Sequence, residues 1–301
     1  MKPASALSTL TFPERLNFLV TNRIPRRWLT LLMGRFSRVE NPVVRALSIG
    51  VWRLFADDLR LHEAKQRSFR SLHDCFTREL TPGARPVCGN PKVVVSPCDA
   101  VIGSFGNVRG LKVLQAKGFP YTIDDLLGDE AWAERCRDSR YVTLRLKSSM
   151  YHRFHAPADA AITRVNYITG DTWNVNPIAL RVVERLYCKN ERVAIDLRLA
   201  DDSESITLVA VAAILVASVR LHGLDVPLDL RYAGPNAVEL RRRLRKGDEI
   251  GWFEHGSTIV MLVPGTFRFC DNVVTGETIR MGQALMRRSR LRHENLPFTE
   301  T

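Results

Sequence analysis

Gly251-Trp252-Phe253-Glu254-His255-Gly256-Ser257-Thr258-Ile259-Val260-Met261-Leu262-Val263, closed by Pro264-Gly265, carries the clearest fold signal in the chain. Ile259 to Val263 is an unbroken apolar run of strand length, rich in β-branched residues and stopped by a turn pair. That is how a strand covered on both faces reads. The pattern repeats outward. Leu208 to Val219 is an apolar stretch of 12 residues, whose Val and Ile content suggests a buried strand or strand pair; a membrane-spanning helix needs roughly 20. Val142-Thr143-Leu144-Arg145-Leu146-Lys147 alternates as a half-buried strand does, and Val93-Val94-Val95 is a β-branched run ending in a turn. Strands separated by Gly, Pro and Asp turns are expected from about 86 to 285, with short helices near Ile123–Leu127 and Ala179–Leu186. Residues 1–85 read as helical, ending at Thr81-Pro82-Gly83. The fold class is therefore α+β, an N-terminal helical region followed by a β-rich domain, with residues 286–301 as a basic tail.

Gly256-Ser257-Thr258 also has a chemical reading. Gly256 has no side chain, so its carbonyl is open to the Ser257 hydroxyl, and its backbone tolerates strained geometry. The ordinary alternative is a turn entering a strand. Two other segments supply the partners that a serine nucleophile requires. Ser96-Pro97-Cys98-Asp99 presents a carboxylate at a turn, and Tyr151-His152-Arg153-Phe154-His155 places two histidines after an alternating strand. Asp99 as a turn acid, the histidines as half-buried strand residues and Ser257 as a cap are the bland readings of the same positions. A Ser-His-Asp hydrolase is a further reading, but the chain lacks the G-x-S-x-G elbow.

Phe76-Thr77-Arg78, Ser96-Pro97-Cys98-Asp99, Gln115-Ala116-Lys117-Gly118, Tyr151-His152-Arg153-Phe154-His155, Gly170-Asp171, Asn190-Glu191-Arg192-Val193, Gly256-Ser257-Thr258 and Gly282-Gln283 follow one another in order. The set resembles the phosphatidylserine decarboxylase family. This resemblance implies a proenzyme that makes its own cofactor. His155, held by Asp99, would take the proton from Ser257, which attacks the Gly256 carbonyl. The amide becomes an ester, elimination splits the chain, and Ser257 becomes a pyruvoyl group. The pyruvoyl ketone would condense with the amine of phosphatidylserine as a Schiff base and act as an electron sink while carbon dioxide leaves. Phosphatidylethanolamine would be the product, and His152 would be the acid or orienting group of that step. The two cleaved chains would remain together as a heterodimer, with dimerisation of that pair left open. The resemblance also suggests a β-rich domain similar to lipoyl-type folds, heralded by Lys246-Gly247-Asp248-Glu249-Ile250-Gly251. An unprocessed lipid-binding relative, or a decarboxylase of another amino-acid lipid, would carry much of the same pattern. Three positions depart from the family: Cys98 replaces Ala, Ala100 replaces Gly, and His255 replaces Leu. Ala100 matters if its backbone needs a positive φ.

Charge narrows the partners. A net charge of +12 over 301 residues calls for an acidic surface. Zinc-finger spacing, ribonucleoprotein aromatics and phosphate-binding Gly loops are absent, so nucleic acid is not expected. In the first 60 residues ten Lys or Arg stand against four Asp or Glu. Leu16, Phe18, Leu19, Trp28, Leu29, Leu31, Leu32, Val43, Val44, Leu47, Val51, Trp52, Leu54 and Phe55 are interleaved among them at helical spacing. Interfacial helices look like this, and so do helices packed on a core. With no signal-peptide pattern, the expectation is peripheral attachment to the cytoplasmic side of an anionic cell membrane. Arg241 to Lys246 reads as a solvated basic patch. Cys75, Cys88, Cys98, Cys136, Cys188 and Cys270 have no C-x-x-C spacing, so free thiols are expected. No metal site is expected, because His152 and His155 lack the Glu and helical setting of a zinc motif.

Overall fold

A computed structural model describes residues 10–22, 25–114, 119–201, 204–214, 218–254 and 257–289. His255, Gly256 and Gln115 to Gly118 lie outside the described residues, as do Arg290, Arg292 and the rest of the tail. The described residues open with three helices, α1 Phe12–Asn22, α2 Arg26–Phe36 and α3 Pro42–Phe55, then a short α4 Leu72–Phe76. Next come β1 Val93–Val95, β2 Ala100–Asn107, β3 Lys112–Leu114, β4 Pro120–Thr122, α5 Ile123–Leu127, α6 Glu130–Arg135, β5 Ser139–Leu146, β6 Arg153–His155 and β7 Ala160–Ile168. After α7 Pro177–Val182 and α8 Leu186–Lys189, the strands are β8 Arg192–Leu199, β9 Ser205–Ala212, β10 Val219–Leu221, β11 Ala237–Val238, β12 Arg242–Leu244, β13 Glu249–Phe253, β14 Ser257–Pro264, β15 Phe267–Phe269, β16 Thr278–Ile279 and β17 Ala284–Arg288. The molecule is thus a β-rich body with a few N-terminal helices.

A nine-stranded antiparallel sheet forms the body, in the order β11-β7-β8-β9-β14-β5-β2-β16, with β12 also pairing β7. Strand β14 lies in the middle, and its residues Ser257 to Val263 are all buried. One face of the sheet carries Leu144, Ile259, Met261 and Leu208 against Phe154, Phe253 and Leu285 of the small sheets β10-β13-β6 and β1-β17-β15. The other face carries Val260, Leu262, Val209 and Val211 against Leu126, Trp132, Leu180 and Leu186 of the helices. Cover on both faces explains why Ile259 to Val263 has no polar alternation.

Several expectations need correction. The helix expected over Ala179–Leu186 is two helices, because Arg185 sits at φ 54, a left-handed conformation that breaks the turn. Helix α6 was not foreseen; Asp129 caps it by accepting from the Trp132 N–H at 2.7 Å. The basic run Arg241 to Lys246 is not simply a solvated patch, since Arg242 to Leu244 forms β12 and Leu244 is buried. Strand β17 runs through Arg288, across the expected start of the tail, with Met286 fully buried. In the N-terminal region, Phe18 packs into the helix-side core, and Trp52 lies over Phe76 with ring centroids 5.7 Å apart.

Many of the other apolar residues of the N-terminal helices face outward at helical spacing. Phe12, Leu16 and Leu19 are exposed on α1, Trp28, Leu31, Leu32 and Phe36 on α2, and Val43, Leu47, Val51, Leu54 and Phe55 on α3. The helices are fastened by their polar faces: Glu14 pairs with Arg181, Arg26 pairs with Asp171 and stacks on Trp173 at 3.8 Å, and Arg38 meets Glu254 at 2.7 Å. Among the described residues no helix is long and apolar enough to cross a membrane.

Candidate active site

Ser257 is the first residue of β14, paired with Leu146 of β5 and Ala212 of β9. It is fully buried, and among the described residues its Oγ has no hydrogen-bond partner. A buried hydroxyl left without a partner costs about 1–3 kcal/mol, so an orphan at the head of a central strand asks for a reason. Beyond the ends of β5, β9 and β14 lies a cavity of about 360 Å³. Ser257, Ala213, Ile214, Arg145, Lys147, Asn174 and Asn176 line it, with Phe55 and Ala56 from the end of α3.

The two histidines sit on the short sheet that leads into the Ser257 segment. In β6, Arg153 pairs with Trp252, Phe154 with Gly251 and His155 with Glu249 of β13. His152 is buried at the head of β6; its carbonyl accepts the Phe253 N–H at 2.9 Å, and its ring lies 4.1 Å from that of Phe76. Its Nδ1 lies 2.8 Å from the Met150 carbonyl, which can only accept, so Nδ1 carries the proton. His155 Nδ1 likewise meets the Gly247 carbonyl at 2.9 Å, leaving Nε2 as the basic nitrogen, 3.1 Å from the Tyr151 hydroxyl. Burial holds the His155 pKa below its ordinary value, while the Gly247 hydrogen bond and the charges of Glu249 and Asp99 push the other way. A neutral imidazole is the form able to accept a proton.

Asp99 is placed differently from the sequence expectation. Its carboxylate accepts from Arg85 Nε at 2.9 and 3.0 Å, from Arg85 Nη2 at 2.6 Å, and from the Met281 N–H at 2.9 Å. It makes no hydrogen bond to His155, whose tautomer is set by Gly247. Asp99 acts on that ring only through its charge, while a backbone bond from the His155 N–H to the Pro97 carbonyl, 2.8 Å, keeps the two segments together. Ser257 Oγ likewise bonds neither histidine in this structure. A second cavity of about 180 Å³ is lined by Asp99, Arg85, Arg78 and Tyr151. It shares Asp57, Lys147 and Ser149 with the Ser257 cavity, and Lys147 and Asp57 pair at 2.9 Å.

Sequence reasoning missed Arg85, Tyr151, Gly247, Glu254 and Arg145. Glu254 had a signal, being a carboxylate next to the His255-Gly256 pair. It is buried and ringed by Arg38 at 2.7 Å, Arg220 at 3.5 Å and His73 at 3.6 Å, which anchors the chain just before Gly256. Cys98 is buried, which raises its thiol pKa, and Ala100 lies in β2 without a positive φ, so this departure puts no strain on the turn.

Over residues 72–287 the sequence matches the family model for phosphatidylserine decarboxylase. The chain belongs to the phosphatidylserine decarboxylase family. Its relatives include the phosphatidylserine decarboxylase proenzymes of Methylibium petroleiphilum, 33% identical over 90% of this chain and 97% of that one, and of Saccharophagus degradans, 32% over 89% and 96%. The proenzyme of Brevibacillus brevis is 29% identical over 88% and 95%. Membership makes the chain a lyase, a decarboxylase. Within the family stretch, Asn190 ties Ala212 and Trp173 through their carbonyls, and Arg192 reaches the carbonyls of Leu126, Asp125 and Cys188. Both hold the helix layer to β8 and β9, beside Ser257.

Proposed function

We propose that this chain is a self-processing phosphatidylserine decarboxylase, cut between Gly256 and Ser257. The observation that carries this reading is the buried Ser257 hydroxyl at the head of β14, without a partner among the described residues and lining a cavity in a chain whose relatives are named proenzymes. Ser257 Oγ attacks the Gly256 carbonyl carbon as the base takes its proton, and the peptide C–N bond gives way to an ester. Loss of the Ser257 α-proton expels the upstream chain as a carboxylate. The dehydroalanine left at 257 takes up water and loses ammonia, leaving an N-terminal pyruvoyl group. A ketone at that position supplies an acceptor for the substrate amine and for the electrons released with carbon dioxide. The residues present fit it: the site is apolar on the Leu146 and Ala212 side and opens to the cavity on the other.

In this reading His155 is the base for Ser257, with Asp99 supplying negative charge nearby, and His152 returns or orients the proton at the substrate α-carbon. One observation favours a second assignment. By register His152 lies beside Phe253, where β13 runs into the cleavage segment, whereas His155 lies opposite Glu249 at the far end of that strand. His152 as the base for self-cleavage is the alternative.

The substrate is phosphatidylserine, taken from an anionic membrane that the protein meets peripherally from the cytoplasmic side. The outward apolar rows of α1, α2 and α3 support this reading, with Arg27, Arg35 and Arg53 exposed beside them and a net charge of +12. Phe55 and Ala56, at the end of the α3 row, also line the Ser257 cavity, so a headgroup has a short route from lipid to site. After cleavage the chains 1–256 and 257–301 would stay together, because β14 is held between β5 and β9 along its length.

The deciding experiment is the intact mass of the purified protein beside Ser257→Ala. Two chains, 1–256 and 257–301, in the parent, the shorter blocked to Edman sequencing, and a single chain in the variant would support the proposal. One unmodified chain in both would overturn it in favour of an unprocessed lipid-binding relative.

A further inference from the structure

The Ser257 cavity contains a charge that the fold leaves unanswered. Arg145 is half-buried on β5 and lines the cavity, yet among the described residues no carboxylate pairs with it and its guanidinium makes no hydrogen bond. The other charges lining the cavity, Lys147 and Asp57, are paired with each other. The group that interacts with Arg145 is the Tyr187 phenol, and burial lowers the Arg145 pKa. A guanidinium withdrawn from water without an anion is costly, and its planar fork suits bidentate binding of an oxyanion.

Position says which oxyanion. Leu146 faces Ser257 across the β5–β14 ladder, and Arg145, the next residue, faces Thr258. Adjacent strands are about 4.8 Å apart and successive residues point to opposite faces, so Arg145 leaves β5 on the helix-side face and Ser257 lies on the other, and the cavity at the open end of the strands is where both are reached. In a phosphoserine lipid the phosphorus lies three bonds beyond the α-carbon, a distance that an arginine side chain bridges. The substrate carboxylate is the other anion to hand, but a guanidinium there would stabilise charge that vanishes as carbon dioxide forms, which slows the step. The phosphodiester keeps its charge throughout, so holding it favours ground and transition states alike.

We propose that Arg145 is the specificity residue that binds the phosphodiester of the lipid headgroup in the Ser257 cavity. This rests on the reading of Ser257 as the reacting residue. Arg145→Gln and Arg145→Lys are assayed on phosphatidylserine in mixed micelles, with rates normalised to the cleaved fraction. Loss of a charge-assisted hydrogen-bond pair predicts KM raised about 10- to 100-fold with kcat within about threefold, and Lys recovering part of the loss. A fall in kcat at unchanged KM, or no change in either, overturns the proposal. Calorimetric titration of the full chain gives a readout independent of turnover. Glycerophosphoethanolamine, a phosphodiester without a carboxylate, should bind the parent and bind Arg145→Gln at least tenfold more weakly, while O-methylserine, a carboxylate without phosphate, should not distinguish them. Inorganic phosphate separates a phosphodiester site from a free-phosphate site: binding of phosphate tighter than the diester overturns the assignment. If the parent binds the diester through Arg145 but does not decarboxylate, the proposed function fails and this site stands. If the parent decarboxylates and Arg145→Gln binds the diester as the parent does, only this inference fails.

Discussion

Asp99 and Arg85 are a buried pair, with side chains 8% and 4% exposed, so a substitution of Asp99 disturbs stability besides whatever it does to the proposed chemistry. Asp99→Asn leaves Arg85 with Glu63 as its one charged partner among the described residues, 2.7 Å away. Breaking a buried pair from one side costs about 3–5 kcal/mol. Asp99→Asn is therefore expected to lower the melting temperature and to slow self-cleavage together, and a normal melting temperature with blocked cleavage would show that the carboxylate acts on chemistry alone. The histidines are separable by a different readout. Because burial lowers the His155 pKa from 6.5, the imidazole stays neutral into mildly acidic solution. If His155 is the base, the acid limb of the self-cleavage rate falls below pH 6.5, and His155→Ala stays uncleaved while His152→Ala cleaves and fails to turn over. The reverse pattern assigns the base to His152. The candidates Asp99, His152, His155 and Ser257 could be proposed from residue type, but their hydrogen-bond partners could not. Gly247 orients His155 through a backbone carbonyl, a group every residue has, and Arg85 reaches Asp99 across a turn that only the folded chain closes.

At the scale of elements, the sheet β10-β13-β6 positions both histidines, and Gly251 allows it to form. A Cβ at 251 would stand 2.0 Å from the Arg220 carbonyl oxygen on β10, so β10 and β13 would have to separate. Overpacking of this kind costs about 1–3 kcal/mol. Gly251→Ala is expected to lose that stability in denaturant titration and to cleave more slowly, whereas at Gly106 a Cβ meets only the Tyr141 ring at 3.6 Å and Gly106→Ala should stay within about 0.5 kcal/mol. Equal effects at the two sites would contradict this account of the sheet. Strands such as Val142 to Leu146 and Ile259 to Val263 were readable because each leaves a local trace, alternation in the first and an unbroken apolar run in the second. The order β9-β14-β5 was not, since neighbours in that sheet are far apart in sequence and pairing leaves no local pattern. The break at Arg185 was hidden for the opposite reason: a left-handed non-glycine residue is held by its surroundings, and nothing in its own identity announces it.

For the whole molecule, the proposed membrane attachment would draw separable contributions from charge and from apolar surface. The net charge of +12 acts over a Debye length of about 10 Å at 0.1 M salt and about 3 Å at 1 M. The rows on α1, α2 and α3 act by burial, which salt does not screen. Sedimentation with anionic vesicles should therefore fall as salt rises from 0.05 to 0.5 M without vanishing, and neutral vesicles should retain only the salt-insensitive part. Leu47 and Val51 lie in the middle of the outward row of α3, clear of the Trp52 and Ile49 contacts that fix the helix to the body. Leu47→Asp with Val51→Asp should remove the salt-resistant binding at least tenfold while leaving the melting temperature within a few degrees. It should also raise KM on vesicles far more than on short-chain substrate in solution, because the cleft itself is untouched. Unchanged vesicle binding by this double variant, or binding that ignores salt in the parent, would mean that the exposed rows face something other than a lipid surface, with a second copy of the chain the alternative that light scattering would then reveal.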